Sequence, residues 1–451
     1  MGKPETSEAK VFGLWSAIFL GIGSMVGAGI FIVIGEAGVI AGNLVTISFL
    51  IGGIIALLCG YSLSKLAIRY PSRGGIIEYL VQGYGEGVFS GSLGILFYFA
   101  QLVTLAAVAK SFGAYAATYI NSGATPFYTN LFAIGVLLFF VTINLVGAAM
   151  IARAENIIVI VKFTALIVFT IVALFFVDLS NLAIGKAPGA VNIFYALGLT
   201  FFAFQGFSVI TNSVEDMQDP EHTMLRSMCW AIGLVAVLYI AISIAVFGDL
   251  PLDAIVRDKD FALAEAARPA FGVWGFKIMA ATALLATASA INATLYAVTQ
   301  ISYTLAKDGD LPEVYDYNVF HNTEGLIISA LLIMPMLLFL NLGQIATIAA
   351  IAVLLVQGFT HAGHLFKSKE TGGHPGWILA AVAGSFGAAG LAIVYASGTM
   401  PHILYYIASL FFMAFIFEVL LHLLNDRTVE KQIITDIEKL ERGILNRMNF
   451  K

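Results

Sequence analysis

The chain has 451 residues, of which 59% are hydrophobic and only 11% charged, with a mean hydropathy of +0.91. Soluble domains carry about 25% charged residues, so a large soluble helical protein is set aside and a polytopic membrane protein is implied. The net charge of −5 is too dilute to point to a partner such as nucleic acid, and Cys59 and Cys229 each lie in an apolar run, as packing residues do.

The polar start, residues 1–11, reads as a tail, and it leads into a span too long for the core of a cleavable signal. Apolar windows of about 20 residues then predict twelve membrane helices: 12–41, 44–68, 86–119, 126–148, 155–177, 191–216, 226–248, 268–306, 325–341, 344–366, 376–397 and 402–425. Segments 3 and 8 are longer than a straight crossing needs, which predicts tilt. Segments 9 and 10 are separated only by Asn341–Gly343. Lys3, Lys10, Lys65, Arg69, Arg73, Arg153, Arg226, Lys307, Lys367 and Lys369 fall on one side, against Lys186, Arg257, Lys259 and Arg268 on the other. That bias places both termini in the cytoplasm and the protein in the cell membrane. From 426 to 451, Val429, Ile433, Ile437, Leu440, Ile444 and Met448 recur at helical spacing opposite a charged face, predicting an amphipathic cytoplasmic helix.

Segment 1 contains GIGSMVGAGIF, Gly21 to Phe31, with four glycines where an unbroken helix would be weakened by each. Taken alone, Gly23 and Gly27 could equally serve close helix packing at G-x-x-x-G spacing. Segment 6 has a second irregular stretch, FFAFQGFSVITNSVED, with Gln205 and Gly206 in mid-span. Segments 1–5 and 6–10 are of similar length, and an odd number of spans gives the second group the opposite orientation. Paired breaks in such groups predict an inverted repeat, 12–177 and 191–367, within a ten-helix core 12–367, followed by two helices over 375–425. Unwound backbone is tolerated in a membrane only where it lines a cavity. Its N–H groups then suit a carboxylate and its C=O groups an ammonium, so a zwitterion fits.

Segment 5 holds one charge in an apolar run, Lys162, roughly 10 Å past Glu155 along a helix. Burial lowers the proton affinity of an ammonium, which suits a proton carrier; snorkelling to the headgroups is the plainer alternative. Lys110 reads as an outer-half residue that snorkels outward or sits in a vestibule, and Glu36 as one that caps a vestibule. Glu215 and Asp216 could pair with Arg153 or Arg226, and Asn292 could bond broken backbone or only its neighbours. The histidines fall mostly near loops, with no pair in a metal-ligand setting. No nucleophile–base set, metal motif or phosphate loop supports an enzyme, and no cofactor is implied.

These stretches resemble the amino acid–polyamine–organocation transporters. GSMVGAGIF resembles their G-x-G-I-F signature, and RYPSRGGIIEYL (Arg69 to Leu80) their Pro-x-x-Gly-Gly-x-x-x-Tyr stretch. FFAFQGF followed by EDMQDP resembles their sixth span, and INATLYAVTQISYTLAKDGDLP (Ile291 to Pro312) their eighth. The resemblance covers about residues 10–425 and is nearest to prokaryotic, proton-coupled, broad-specificity members. It implies an all-α, twelve-helix membrane protein of the LeuT type, with a five-plus-five inverted repeat and helices 1 and 6 broken. It implies secondary transport of amino acids, as the small-molecule substrate, by alternating access in the lipid bilayer. The substrate would be held by Val26, Gly27, Ala28, Gly29 and Ile30 together with Ala203, Phe204, Gln205, Gly206 and Phe207. Its carboxylate would meet the N–H groups of Ala28 and Gly29, and its ammonium the carbonyls of Val26, Ala203 and Phe204. Phe204, Phe207 and Ile291 would wall the side chain. Ser208 stands where many members have an acid. In sodium-independent members a lysine like Lys162 takes the place of a sodium ion, reaching segment 1 and a segment 8 hydroxyl, here Ser289. Protons are then the expected partner. Family exchangers carry this lysine too, so amino acid/amine exchange remains the alternative; the oligomeric state is open.

Overall fold

The computed structural model describes residues 12–425, apart from 73, 121–124, 147–148, 184–187, 309–310, 312–314, 316–317, 320–321 and 401. The tail 1–11 and the C-terminal helix expected over 426–451 lie outside the described residues.

Every one of the twelve apolar segments contains helix. Segment 1 is two helices, α1 (Leu14–Met25) and α2 (Gly29–Ala41). Then come α3 (Val45–Arg69), a short α4 (Ile76–Tyr84), α5 (Val88–Ala117), α6 (Pro126–Val146) and α7 (Ala149–Ala173). Segment 6 is α8 (Val191–Tyr195) and α9 (Leu197–Ala203), continued by a 3-10 helix over Phe207–Asp216. α10 (Pro220–Asp249) leads to α11 (Leu252–Arg257), a 3-10 turn and α12 (Ala262–Glu265), which together form the long connection before α13 (Arg268–Asp308). Two-residue strands β1 (Asn318–Val319) and β2 (Asn322–Thr323) pair before α14 (Glu324–Phe339). The chain ends with α15 (Leu342–Phe366), the single-turn α16 (Ser368–Thr371), α17 (Pro375–Thr399) and α18 (Ile403–Asn425). Among the described residues nine helices are long and apolar enough to cross a membrane, with three shorter apolar ones beside them.

Local chemistry sets the boundaries. Asp219 caps α10 by accepting from the His222 amide at 3.4 Å, and Pro220 takes the first position, where no N–H is needed. Asn341 and Gln344 form a reciprocal capping box, at 2.9 and 3.0 Å, which starts α15 within two residues of α14. α13 bends near its start, where Gly272 sits at φ 63°.

α2 and α15 lie at the centre. Ile30 to Ala37 of α2 are almost wholly buried, and α15 is covered by α3, α5, α9 and α17. A helix that is apolar all round belongs inside. The outer faces expose Trp15, Phe139, Phe175, Trp230, Trp274 and Phe339, as surfaces turned to lipid do.

Candidate functional site

The site is built where the two interrupted segments meet. α1 stops at Met25, Val26–Ala28 are non-helical, and α2 restarts at Gly29. In segment 6, α9 stops at Ala203, Phe204–Gly206 form a turn, and the chain resumes as a ten-residue 3-10 helix. Both interruptions fall inside the two irregular stretches read from the sequence. A 3-10 run of that length is uncommon and marks strained or hinging backbone.

The two breaks press on each other. Gly206 has φ +117°, and a Cβ there would lie 2.8 Å from the Ser24 carbonyl carbon and oxygen. A Cβ on Gly29 would lie 2.8 Å from the Ala203 carbonyl oxygen. Both contacts are under van der Waals distance, so glycine is required by close approach on each side and by left-handed backbone at Gly206.

The interruption frees main-chain groups. The Val26 amide still donates to Ile22 at 2.8 Å, and the Ile32 amide to Ala28 at 3.0 Å. Between them the N–H groups of residues 27–31 make no hydrogen bond among the described residues. Nor do the carbonyls of Val26, Ala203 and Phe204 accept one. Donors at the start of α2 and acceptors at the ends of α1 and α9 are thus left at one place, with helix-dipole signs that suit an anion and a cation respectively. The Gln205 Nε2 is buried beside them with no partner among the described residues, a cost that a bound polar group would remove.

Two other carbonyls at the end of α1 are taken by side chains. Lys162, buried on α7, donates to the Gly23 carbonyl at 3.1 Å. It therefore reaches inward to segment 1 rather than snorkelling. Tyr239 on α10, also fully buried, donates to the Met25 carbonyl at 2.8 Å. Sequence reading missed Tyr239; the available signal was a tyrosine inside an apolar span, whose hydroxyl must find a partner when buried.

Phe204 and Phe207 are fully buried, Phe204 with its ring 5.3 Å from Tyr239 and Phe207 6.3 Å from Phe201. Ile30 is buried on α2. Ile291 is buried on α13, next to Ala290, whose methyl would lie 3.4 Å from a Cβ on Gly27. Ser289 is buried on the same helix, which packs against α7. Ser208 is half-buried in the 3-10 segment.

Residues further out have partners that sequence could not assign. Lys110 neither snorkels nor edges a vestibule: it is buried, bonds the Asn130 side chain and donates to the Leu337 carbonyl at 2.7 Å, capping the end of α14. Glu36 pairs with Lys259 of the 250–267 connection at 3.1 Å. Tyr115 donates to the Phe31 carbonyl at 3.3 Å. Asn292 accepts from Asn144 on α6 at 2.9 Å, tying α13 to α6 rather than to the breaks. At the other end the Asp216 carbonyl accepts from the Phe12 amide at 3.2 Å; the Arg153 side chain lies outside the described residues. Cys59 is buried against Ser385 at 3.4 Å, whereas Cys229 is exposed, unlike the packing residue expected.

A model of the amino acid permease family matches residues 12–430. The chain belongs to that family, within the amino acid–polyamine–organocation superfamily. It is 32% identical over 421 residues to an uncharacterised protein of Methanocaldococcus jannaschii, covering 93% of this chain and 97% of that one. It is 35% identical over 348 residues to the inner membrane transport protein YbaT of Escherichia coli, covering 77% and 81%. A branched-chain amino acid permease of Bacillus subtilis is 24% identical over 324 residues, covering 68% and 69%. The chain is thus a multi-pass membrane transport protein of a permease family and not an enzyme.

Proposed function

We propose that this permease is a sodium-independent, proton-coupled secondary transporter of neutral amino acids. In this reading the zwitterion binds between the breaks, its carboxylate on the N–H groups of Ala28 and Gly29 and its ammonium on the carbonyls of Val26, Ala203 and Phe204. Phe204, Phe207 and Ile291 wall its side chain. The observation that carries the reading is the juxtaposition of unpaired donors and acceptors at two touching breaks, Gly29 against Ala203 and Gly206 against Ser24. An apolar, aromatic wall favours neutral side chains, since a second ammonium would want a carboxylate. The branched-chain permease among the relatives agrees with that substrate class.

Lys162 is the reason for independence from sodium. A sodium site needs oxygen ligands and no cation beside them, and the ammonium occupies the Gly23 carbonyl. Losing its proton would release that carbonyl and loosen α1, which is how proton and substrate movements become linked. The repeats 12–177 and 191–367 form the moving core, residues 375–425 add two helices, and both termini face the cytoplasm of the cell membrane.

The test is uptake into liposomes of each common amino acid, with an imposed pH gradient and with sodium replaced by potassium. Uptake of a neutral amino acid should follow the pH gradient and ignore the replacement; uptake that collapses without sodium rejects the reading. Lys162→Ala should retain binding yet lose the pH dependence. Vesicles preloaded with amino acid or amine distinguish the alternative, because an obligate exchanger gives no uptake into unloaded vesicles.

A further inference from the structure

Two histidines on α15 take no part in the site above. Sequence reading placed histidines mostly near loops, but His361 and His364 are fully buried. They sit three residues apart on one helix face, and Ser62 of α3 bridges them. The Ser62 hydroxyl lies 2.9 Å from Nδ1 of His361 and 2.7 Å from Nδ1 of His364. Nε2 of His364 lies 2.8 Å from the hydroxyl of Thr371 on α16.

One arrangement of the ring protons satisfies these bonds together with the one that Thr371 makes to backbone. In it Thr371 donates its single hydroxyl proton to the Ser368 carbonyl at 3.2 Å and accepts from Nε2–H of His364 at 2.8 Å. Nδ1 of His364 is then bare and accepts from Ser62. Ser62 in turn accepts from Nδ1–H of His361. The chain runs in one direction, and its inner end is the bare Nε2 of His361.

That nitrogen is buried without a partner among the described residues, and so is Oε1 of Gln357. Gln357 lies one turn deeper on α15, on the same face. Two orphaned acceptors one turn apart lack the same thing, a proton donor. His361 is about 7.5 Å from the end of α15 at 1.5 Å per residue, so the chain spans the last turns of that helix and reaches its Thr371 end.

The neighbouring titratable groups lie along the same route. Lys65 of α3 is the charge that bears on His364. Lys367 and Glu370 pair at the outlet, and Tyr70 donates to Glu370 at 2.7 Å. Cys59 is held by Ser385, Tyr84 by the Phe359 carbonyl, and Tyr61 accepts from the His374 amide.

We propose that His361, Ser62, His364 and Thr371 form a proton-conducting chain that carries the coupling proton between the buried face of the last turns of α15 and the Thr371 end of the molecule, with Nε2 of His361 as its inner acceptor. One proton adds to that nitrogen, and its Nδ1–H passes to Ser62 as the Ser62 proton passes to His364. The Nε2–H of His364 then passes to Thr371, whose own proton leaves to water. One N–H or O–H bond forms for each that breaks, and rotation of the hydroxyls and rings resets the chain. The proposal rests on the proton-coupled reading above.

The experiment uses the full-length protein in liposomes and the amino acid taken up best from the panel. It measures gradient-driven uptake, substrate-linked proton uptake with an entrapped pH dye, and counterflow from preloaded vesicles. Counterflow needs no net proton movement. Ser62→Ala should slow the first two by about tenfold or more and leave counterflow near the wild-type rate. Ser62→Thr, which restores the hydroxyl, should recover them, and Thr371→Val should slow them again. Wild-type protein that moves the amino acid without protons removes the coupled reading and the chain with it. The chain alone is overturned if wild-type protein moves protons and Ser62→Ala does so equally fast. It is also overturned if counterflow falls in step with net uptake, or if Ser62→Thr stays as slow as Ser62→Ala.

Discussion

Tyr239 holds the last carbonyl of α1 from across the molecule. Its removal leaves a buried acceptor unpaired, at about 1–3 kcal/mol. Tyr239→Phe keeps the ring that packs on Phe204 and Phe49 and deletes only the hydroxyl. The variant should unfold at lower temperature in detergent and bind substrate more weakly, read by thermal shift with and without amino acid. An unchanged substrate-dependent shift would show that the Met25 carbonyl needs no fixing. Lys162 and Tyr239 act on neighbouring carbonyls of one half-helix, so their effects should be non-additive in a double-mutant cycle. Lys162 was legible in the sequence because a charge in an apolar run is conspicuous. Tyr239 was not, since tyrosine is common in such runs and only its partner marks it.

At the scale of the helix, the breaks were legible from glycine and glutamine in mid-span. Their depth was not, because the residue at which a helix stops depends on what crosses it. Ser24 crosses Gly206, and Ala203 crosses Gly29. Gly206→Ala meets both obstacles: a left-handed residue costs roughly 1–2 kcal/mol without glycine, and the new methyl meets Ser24 backbone. Transport should fall to background while the protein still reaches the membrane, checked by uptake alongside the amount of protein in isolated membranes. Wild-type uptake in that variant would mean the breaks do not stay in contact. The capping box at Asn341 is a case where sequence and structure agree, since Asn-x-x-Gln ahead of an apolar run is a start signal that needs no tertiary help.

Across the whole molecule, α2 is covered at its far end by the 250–267 connection through Glu36 and Lys259. Burial draws the Lys259 ammonium down, but Glu36 and Asp260 draw it up further, and it ends above its ordinary value of 10.5. A raised lysine contributes stability below its ordinary value and loses that contribution only as pH rises through the folded one. Lys259 therefore stays charged throughout the physiological range. Lys259→Arg should leave the pH profile of uptake between about pH 5 and 8 unchanged, whereas Lys162→Ala should flatten it. A shifted profile in Lys259→Arg would place part of the coupling at this end of α2.

Hydropathy fixed the class of this protein by itself, because a water-soluble chain cannot cover so much apolar surface. The order of helices and the two places where helix gives way were also written locally, in runs of apolar residues and in glycines. The tertiary structure decided the rest: that the breaks touch, that Tyr239 and Lys162 hold α1, that Lys110 caps α14, and that two histidines lie buried on Ser62. Those facts concern partners far apart in the chain, such as Ser62 with His361 or Tyr239 with Met25. A buried polar group takes its role from the partner that satisfies it, and only packing brings that partner within reach.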